Sequence, residues 1–327
     1  MRVSSLAAPA ITIGLILTSG VALLNWQSIS DSIRAANFQP SQEIKQLAVD
    51  TTMSSSALRT FYATQPSIDG SSGFKNTCHQ QHDKGAVLGC YTNDRIYIYD
   101  VNNPELTGIK EVTAAHEMLH AVYARMGNSE RANVDKLLTS QAKSMEGDSD
   151  FKERMKVYKD LDSSSRLDEL HSIFGTEYSS VNDKLDKHYE RYFDDRQKVV
   201  TMYSGYADVF KQLSDDANKL AISLDAQAIS INEQKAAYQS ESESYSRDVD
   251  LFNSRAESNY FTSQSEFYRQ RQLLVQRSER LDSQRRAINQ AIANYDQDRR
   301  RYDGLTAHLS ELNSSIDSRS VDPVPEV

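Results

Sequence analysis

Two apolar series dominate the C-terminal third of the chain. One runs Phe210, Ala217, Leu224, Ile231, Tyr238, Tyr245, Phe252, and the other Phe267, Leu274, Leu281, Ile288, Tyr295, Tyr302, Leu309, Ile316. Every step is seven residues, and heptads sustained this long predict a coiled coil rather than a globular core. Over 206–318 there is no proline, and the only glycine is Gly304. The companion positions are apolar at the base (Leu213, Leu220, Leu305, Leu312, Ala291) and polar toward the middle (Gln227, Gln234, Gln284). The seam is therefore expected to be thin. The series mirror each other about Asn259 and Tyr260, which predicts an antiparallel helical hairpin turning at 258–262. Each arm would reach about 60–70 Å.

The N-terminal pattern is different. Residues 6–26 carry no charge, Arg2 precedes them and Trp26 ends them. About 20 apolar residues cross a bilayer as a helix. A cleavable signal peptide is the alternative, but its apolar region is usually about 7–15 residues. The pattern favours an uncleaved anchor, with everything after Trp26 outside. Residues 27–75 read as a membrane-proximal stalk with short helices at 42–49 and 55–63, closed by Pro66 and the Asp69-Gly70-Ser71-Ser72-Gly73 cluster. Residues 91–99, rich in Tyr, Ile and Thr, read as one strand. Helical periodicity follows at 129–145, at 150–161 and after Ser163-Ser164-Ser165, where Leu167, Leu170, Ile173 and Phe174 form an apolar stripe. A longer helix is expected from about Ser179, carrying Leu185, His188, Tyr189, Tyr192 and Phe193.

Composition adds two constraints. The formal net charge is −9 over 327 residues, without a Lys/Arg-rich block, which argues against nucleic acid as a partner. Cys78 and Cys90 are the only cysteines, and in an oxidising compartment they are expected to pair. Two free thiols, or Cys78, His79 and His82 as part of a second metal site, are the alternatives.

The candidate chemistry lies at His116-Glu117-Met118-Leu119-His120, an HExxH motif. On a helix, residues four apart share a face, so both imidazoles can bind one Zn²⁺. Glu117 beside that face can take a proton from a water that the metal activates. The variable positions and the flanks Thr113-Ala114-Ala115 and Ala121-Val122-Tyr123 are uncharged and free of proline, so both histidines are expected mid-helix. Pro104 and Thr107 lie where that helix could start. Gly127 lies where it could stop on a left-handed residue.

This motif resembles that of the zinc metallopeptidases called zincins. Metzincins add a third His six residues after the second, and Met126 stands there. The chain instead resembles gluzincins, which take a Glu from a later helix. Glu169 is the best candidate, with small Ser172 three residues on; Glu177 and His171 are the rivals. The pattern departs from many gluzincins at Ile173, where they carry an Asp that supports a ligating His. The resemblance implies a residue that donates to the developing oxyanion, for which Tyr178, His188, Tyr189 and Tyr192 are candidates. It also implies an edge strand before the motif helix, along which a peptide substrate lies. A Cys78–Cys90 bridge would brace that strand.

The expected fold is mainly α with a small β-sheet: a transmembrane anchor over 1–26, the stalk over 27–75, a zincin-like metallopeptidase domain over 76–205, the coiled-coil hairpin over 206–318 and a disordered tail over 319–327. The function that the resemblance implies is a membrane-anchored, extracytoplasmic zinc metallopeptidase at the cell surface. Its substrate would be a peptide or protein, with a protein partner or self-association through the coiled coil. The alternative is a non-catalytic envelope scaffold, a degenerate zincin domain whose coiled coil binds a partner.

Overall fold

The computed structural model describes residues 26–78 and 87–318. The described residues are mainly helical with one small sheet. The described residues divide into two units, one within 26–209 together with 312–318, the other Phe210–Glu311. No helix among the described residues is long and apolar enough to cross a membrane. The expected anchor, apart from Trp26, and the tail over 319–327 lie outside the described residues.

The first unit opens with α1 (Trp26–Asn37), α2 (Gln42–Asp50) and α3 (Ser55–Ala63). Ser41 and Ser54 begin α2 and α3 by accepting the amides of Ile44 and Ala57. These helices correct the expectation of a stalk. Ile44, Leu47 and Ala48 of α2 and Ala57 and Phe61 of α3 are buried in the same core as the motif helix. Burial at spacings of three and four sets the inward face of each helix.

Next come β1 (Ser67–Asp69), α4 (Ser71–Cys78), β2 (Gly89–Thr92) and β3 (Arg95–Tyr99). The sheet order is β1-β3-β2, with β1 parallel and β2 antiparallel to β3. The single strand expected over 91–99 is a hairpin. Asn93 and Asp94 both take positive φ (51° and 58°), the conformation of a two-residue turn that Asn and Asp tolerate well. The turn is clamped from outside, because Asp94 receives Arg34, Arg125 and the Tyr91 hydroxyl. Cys78 and Cys90 are bonded, joining the end of α4 to β2. That removes the free-thiol alternative and takes Cys78 out of any second metal site; His79 and His82 lie outside the described residues.

After a 3-10 turn (Pro104–Leu106), α5 (Ile109–Arg125) carries the HExxH motif. It lies at the centre of the unit, with Ala114, Ala115, Met118, Leu119 and Ala121 fully buried. Gly127 does not end it in a left-handed conformation. Its backbone is extended (φ −66°) and caps the next helix, α6 (Asn128–Ser144). The Arg131 guanidinium takes over the stop signal by donating to the Tyr123 and Ala124 carbonyls at 2.7 and 3.1 Å.

Then follow α7 (Ser149–Lys156), α8 (Ser163–Thr176) and α9 (Asp183–Tyr189). Asp162 starts α8 by accepting the Ser164 and Ser165 amides. Buried Arg196 donates to the Phe174 carbonyl at its far end and to the Tyr178 and Ser179 carbonyls beyond. The longer helix expected from Ser179 is corrected to the short α9. Tyr192 and Phe193 lie beyond it, and Phe193 forms a β-bridge with Met53. Edge-on backbone pairing there replaces helical continuation.

The second unit is made from two long helices, α10 (Arg196–Glu257) and α11 (Gln264–Ile316). They reverse over 258–263, with Asn259 at φ 53°. Phe252 and Phe267 meet with ring centroids 5.2 Å apart, as the mirror register requires. Ala217, Leu224, Leu281 and Ile288 are the buried seam. Polar companions pair across it: Gln227 donates to Asp298 at 2.8 Å, and Arg277 to Glu241 at 2.9 Å.

Candidate metal centre

Helices α5 and α8 pack directly on each other. The contact is close because Gly175 has no side chain. A Cβ there would stand 2.3 Å from Leu119 Cδ1 and 3.0 Å from the Tyr189 ring. This glycine, more than Ser172, allows the approach, although Ser172 is also fully buried.

The approach brings His116, His120 and Glu169 together, with one potential ligand atom from each lying within 4.8 Å of the others. Glu169 Oε2 is 3.7 Å from His116 Nε2, and Oε1 is 3.6 Å from His120 Nε2. Donors about 2.0–2.2 Å from a tetrahedral zinc lie about 3.3–3.6 Å apart. The two His–Glu distances fall at the upper edge of that range or just above it, each to a different carboxylate oxygen, and the ligand atoms taken one per residue spread over up to 4.8 Å, so the donor chemistry suits zinc and the three side chains would draw closer around it.

Asp168, which the sequence reasoning missed, completes the arrangement. Its Oδ1 is 2.8 Å from His120 Nδ1. A carboxylate only accepts, so Nδ1 carries a proton toward Asp168, and Nε2 is the nitrogen that can bind a metal once its own proton is displaced. The supporting carboxylate therefore precedes Glu169 directly. Position 173, where many gluzincins carry it, is the fully buried Ile173 of the core. The signal available in the sequence was that a ligating His requires such a partner, and Asp168 adjoins the ligand candidate.

The charges are strongly coupled. Burial opposes protonation of His120, but Asp168, Glu169 and Glu117 outweigh it and raise His120 to about 10. Burial also works against the Glu169 carboxylate, yet His120 and His116 draw it down to about 2. Burial raises Glu117, against the lowering influence of both histidines. Glu117 is buried under β2. A Cβ on Gly89 would be 2.7 Å from Glu117 Cγ and Oε1 and 2.6 Å from Thr113 Cγ2. The backbone of an edge strand thus runs against the carboxylate.

The rival ligands are engaged elsewhere. Glu177 lies past the end of α8 and pairs with Arg154 at 2.5 Å. His171 is fully buried, its Nε2 2.9 Å from His188 Nε2. The oxyanion candidates are not brought to the cluster. Tyr189 donates to the His171 carbonyl at 2.7 Å, Tyr178 packs on Phe151 and Phe174, and Tyr192 packs on His188.

No protein-family model matches the chain, and no curated protein or solved structure matches it either.

Proposed function

We propose that this chain is a zinc-dependent metalloendopeptidase of gluzincin type with a zincin-like domain, anchored to a membrane through residues 6–26 and acting outside it. The observation that carries the reading is the convergence of His116, His120 and Glu169, with Asp168 behind His120 and Glu117 alongside. Structural packing alone does not call for two imidazoles and a carboxylate to face one point.

His116, His120 and Glu169 would hold the ion. Zinc held there would supply Lewis-acid chemistry, polarising a peptide carbonyl and acidifying water. Glu117 accepts a proton from the attacking water and passes it to the leaving amine. In the metal-free site burial raises its proton affinity, and a bound cation would lower it. Asp168 keeps His120 in the binding tautomer. The β2 edge pairs with β3 alone in the sheet and can hold an extended peptide through backbone hydrogen bonds. Gly89 lets that strand approach Glu117 without a side chain intervening.

The disulfide agrees with an oxidising, extracytoplasmic setting. The scaffold reading draws on the hairpin, whose outer positions Ile222 and Ile229 are exposed and seven residues apart. That surface suits a protein partner or a second copy and is compatible with catalysis. Glu117→Gln separates the readings: an enzyme loses peptide hydrolysis while retaining zinc, and unchanged activity refutes the mechanism.

A further inference from the structure

Helix α1 turns its charged residues inward and carries an apolar ridge outward. It has two charged residues, Asp31 and Arg34, and both point into the first unit. Asp31 is buried and accepts from Arg125 Nε at 2.9 Å and Nη2 at 3.2 Å. Arg34 pairs with Asp94, which also receives Arg125 at 2.5 Å. Trp26, Ile29 and Ile33, one ridge at helical spacing, are 67%, 43% and 57% exposed. The other exposed residues, Gln27, Ser28, Ser32, Ala36 and Asn37, are uncharged, and four of them are polar. An apolar ridge on a helix whose charged residues are already paired leaves a surface that no described residue covers.

The chain itself says what covers it. The helix follows directly on residues 6–25, which contain no charged side chain, and Trp26 stands at the junction. Indole rings favour the boundary between headgroups and acyl chains. We infer that α1 lies in that boundary, with Trp26, Ile29 and Ile33 in the apolar layer and Asp31 and Arg34 fastening it to the metal-binding unit. The inference rests on the membrane-anchor part of the proposed function. Its consequence is orientation. Arg125, which holds α1, is on the motif helix five residues after His120, so docking of α1 fixes how the metal centre faces the bilayer.

Trp26 is the only tryptophan, so the chain carries its own probe. The test uses the full chain reconstituted into phospholipid vesicles, with Trp26→Phe/Ile33→Trp moving the indole two turns, about 10 Å, along the helix. Trp26→Phe/Ile29→Trp is the second reporter. Both new positions are exposed, and an unchanged melting curve verifies folding. The expected result is blue-shifted emission at 33 and 29, mostly lost with lipids brominated on the acyl chain and unaffected by aqueous iodide. Quenching by iodide alone overturns the inference, because the helix then stands in water. Emission shielded from both quenchers also overturns it and indicates protein contact. Vesicle flotation reads the anchor separately. A chain that fails to float defeats both the anchor and the docking, whereas one that floats with position 33 in water defeats the docking alone.

Discussion

The two units differ in how their residues find one another. In the helical hairpin, neighbours are set by a seven-residue period and one turn. The buried positions are few, and Ile222, Ile229, Leu251 and Leu273 remain exposed. In the first unit, the contacts that matter join residues far apart in sequence: His120 with Asp168, Gly175 with Leu119, Gly89 with Glu117. A periodic interface tolerates change because each layer does little. The convergent site depends on a few close approaches, and loss of one displaces several groups.

This contrast can be broken or sharpened by substitution. The largest expected effect is at Glu117. Glu117→Gln should lower kcat/KM for a peptide substrate by about 10²–10⁴-fold or more, with zinc content unchanged. Comparable in free energy is the core. Phe61→Ala, fully buried, should cost about 3–5 kcal/mol in denaturant unfolding. Leu224→Ala in the hairpin should cost no more than about 2 kcal/mol, the low end for such truncations. Equal costs would show that the seam is packed as tightly as the core. Next is Asp168→Asn, which should weaken zinc binding about 10–100-fold in a competition titration, by loosening His120 rather than by removing a ligand.

Apart from the substitutions stands a pH dependence of the metal-free protein. His120 is raised to about 10, so its contribution is complete below pH 6.5 and is lost as pH rises through 10. Glu169 is lowered to about 2, so its contribution is complete above pH 4.5 and is lost as pH falls through 2. Stability measured without metal should therefore decline on both sides, and Glu169→Gln should flatten the acid side. Because the ion must displace the His120 proton, apparent zinc affinity should rise with pH. An affinity independent of pH would show that His120 is neutral without metal.

The hairpin was largely legible in the sequence because its information is local. Phe252 and Phe267 could be paired by counting from Asn259. The helices α2, α3 and α8 were also expected from local pattern, although Asp162, and not the Ser163-Ser164-Ser165 run, caps α8. The membership of Ile44 and Phe61 in the core was not, since amphipathic spacing names a buried face without naming what buries it. The hairpin at Asn93 and Asp94 was hidden for a similar reason: its clamps, Arg34 and Arg125, come from distant helices. At the site, ligand chemistry allowed Glu169, Glu177 or His171. The choice depends on how α8 is turned against α5, and Gly175 on Leu119 sets that rotation. Asp168 became visible as a partner only once His120 had a position.

The most direct test is zinc per folded chain, by elemental analysis of the full-length protein beside Glu169→Ala and Glu177→Ala. The account predicts about one zinc per chain, lost in Glu169→Ala and kept in Glu177→Ala, whose side chain pairs with Arg154. A well-folded protein that holds no zinc even after zinc is added would contradict it, and so would zinc lost only with Glu177.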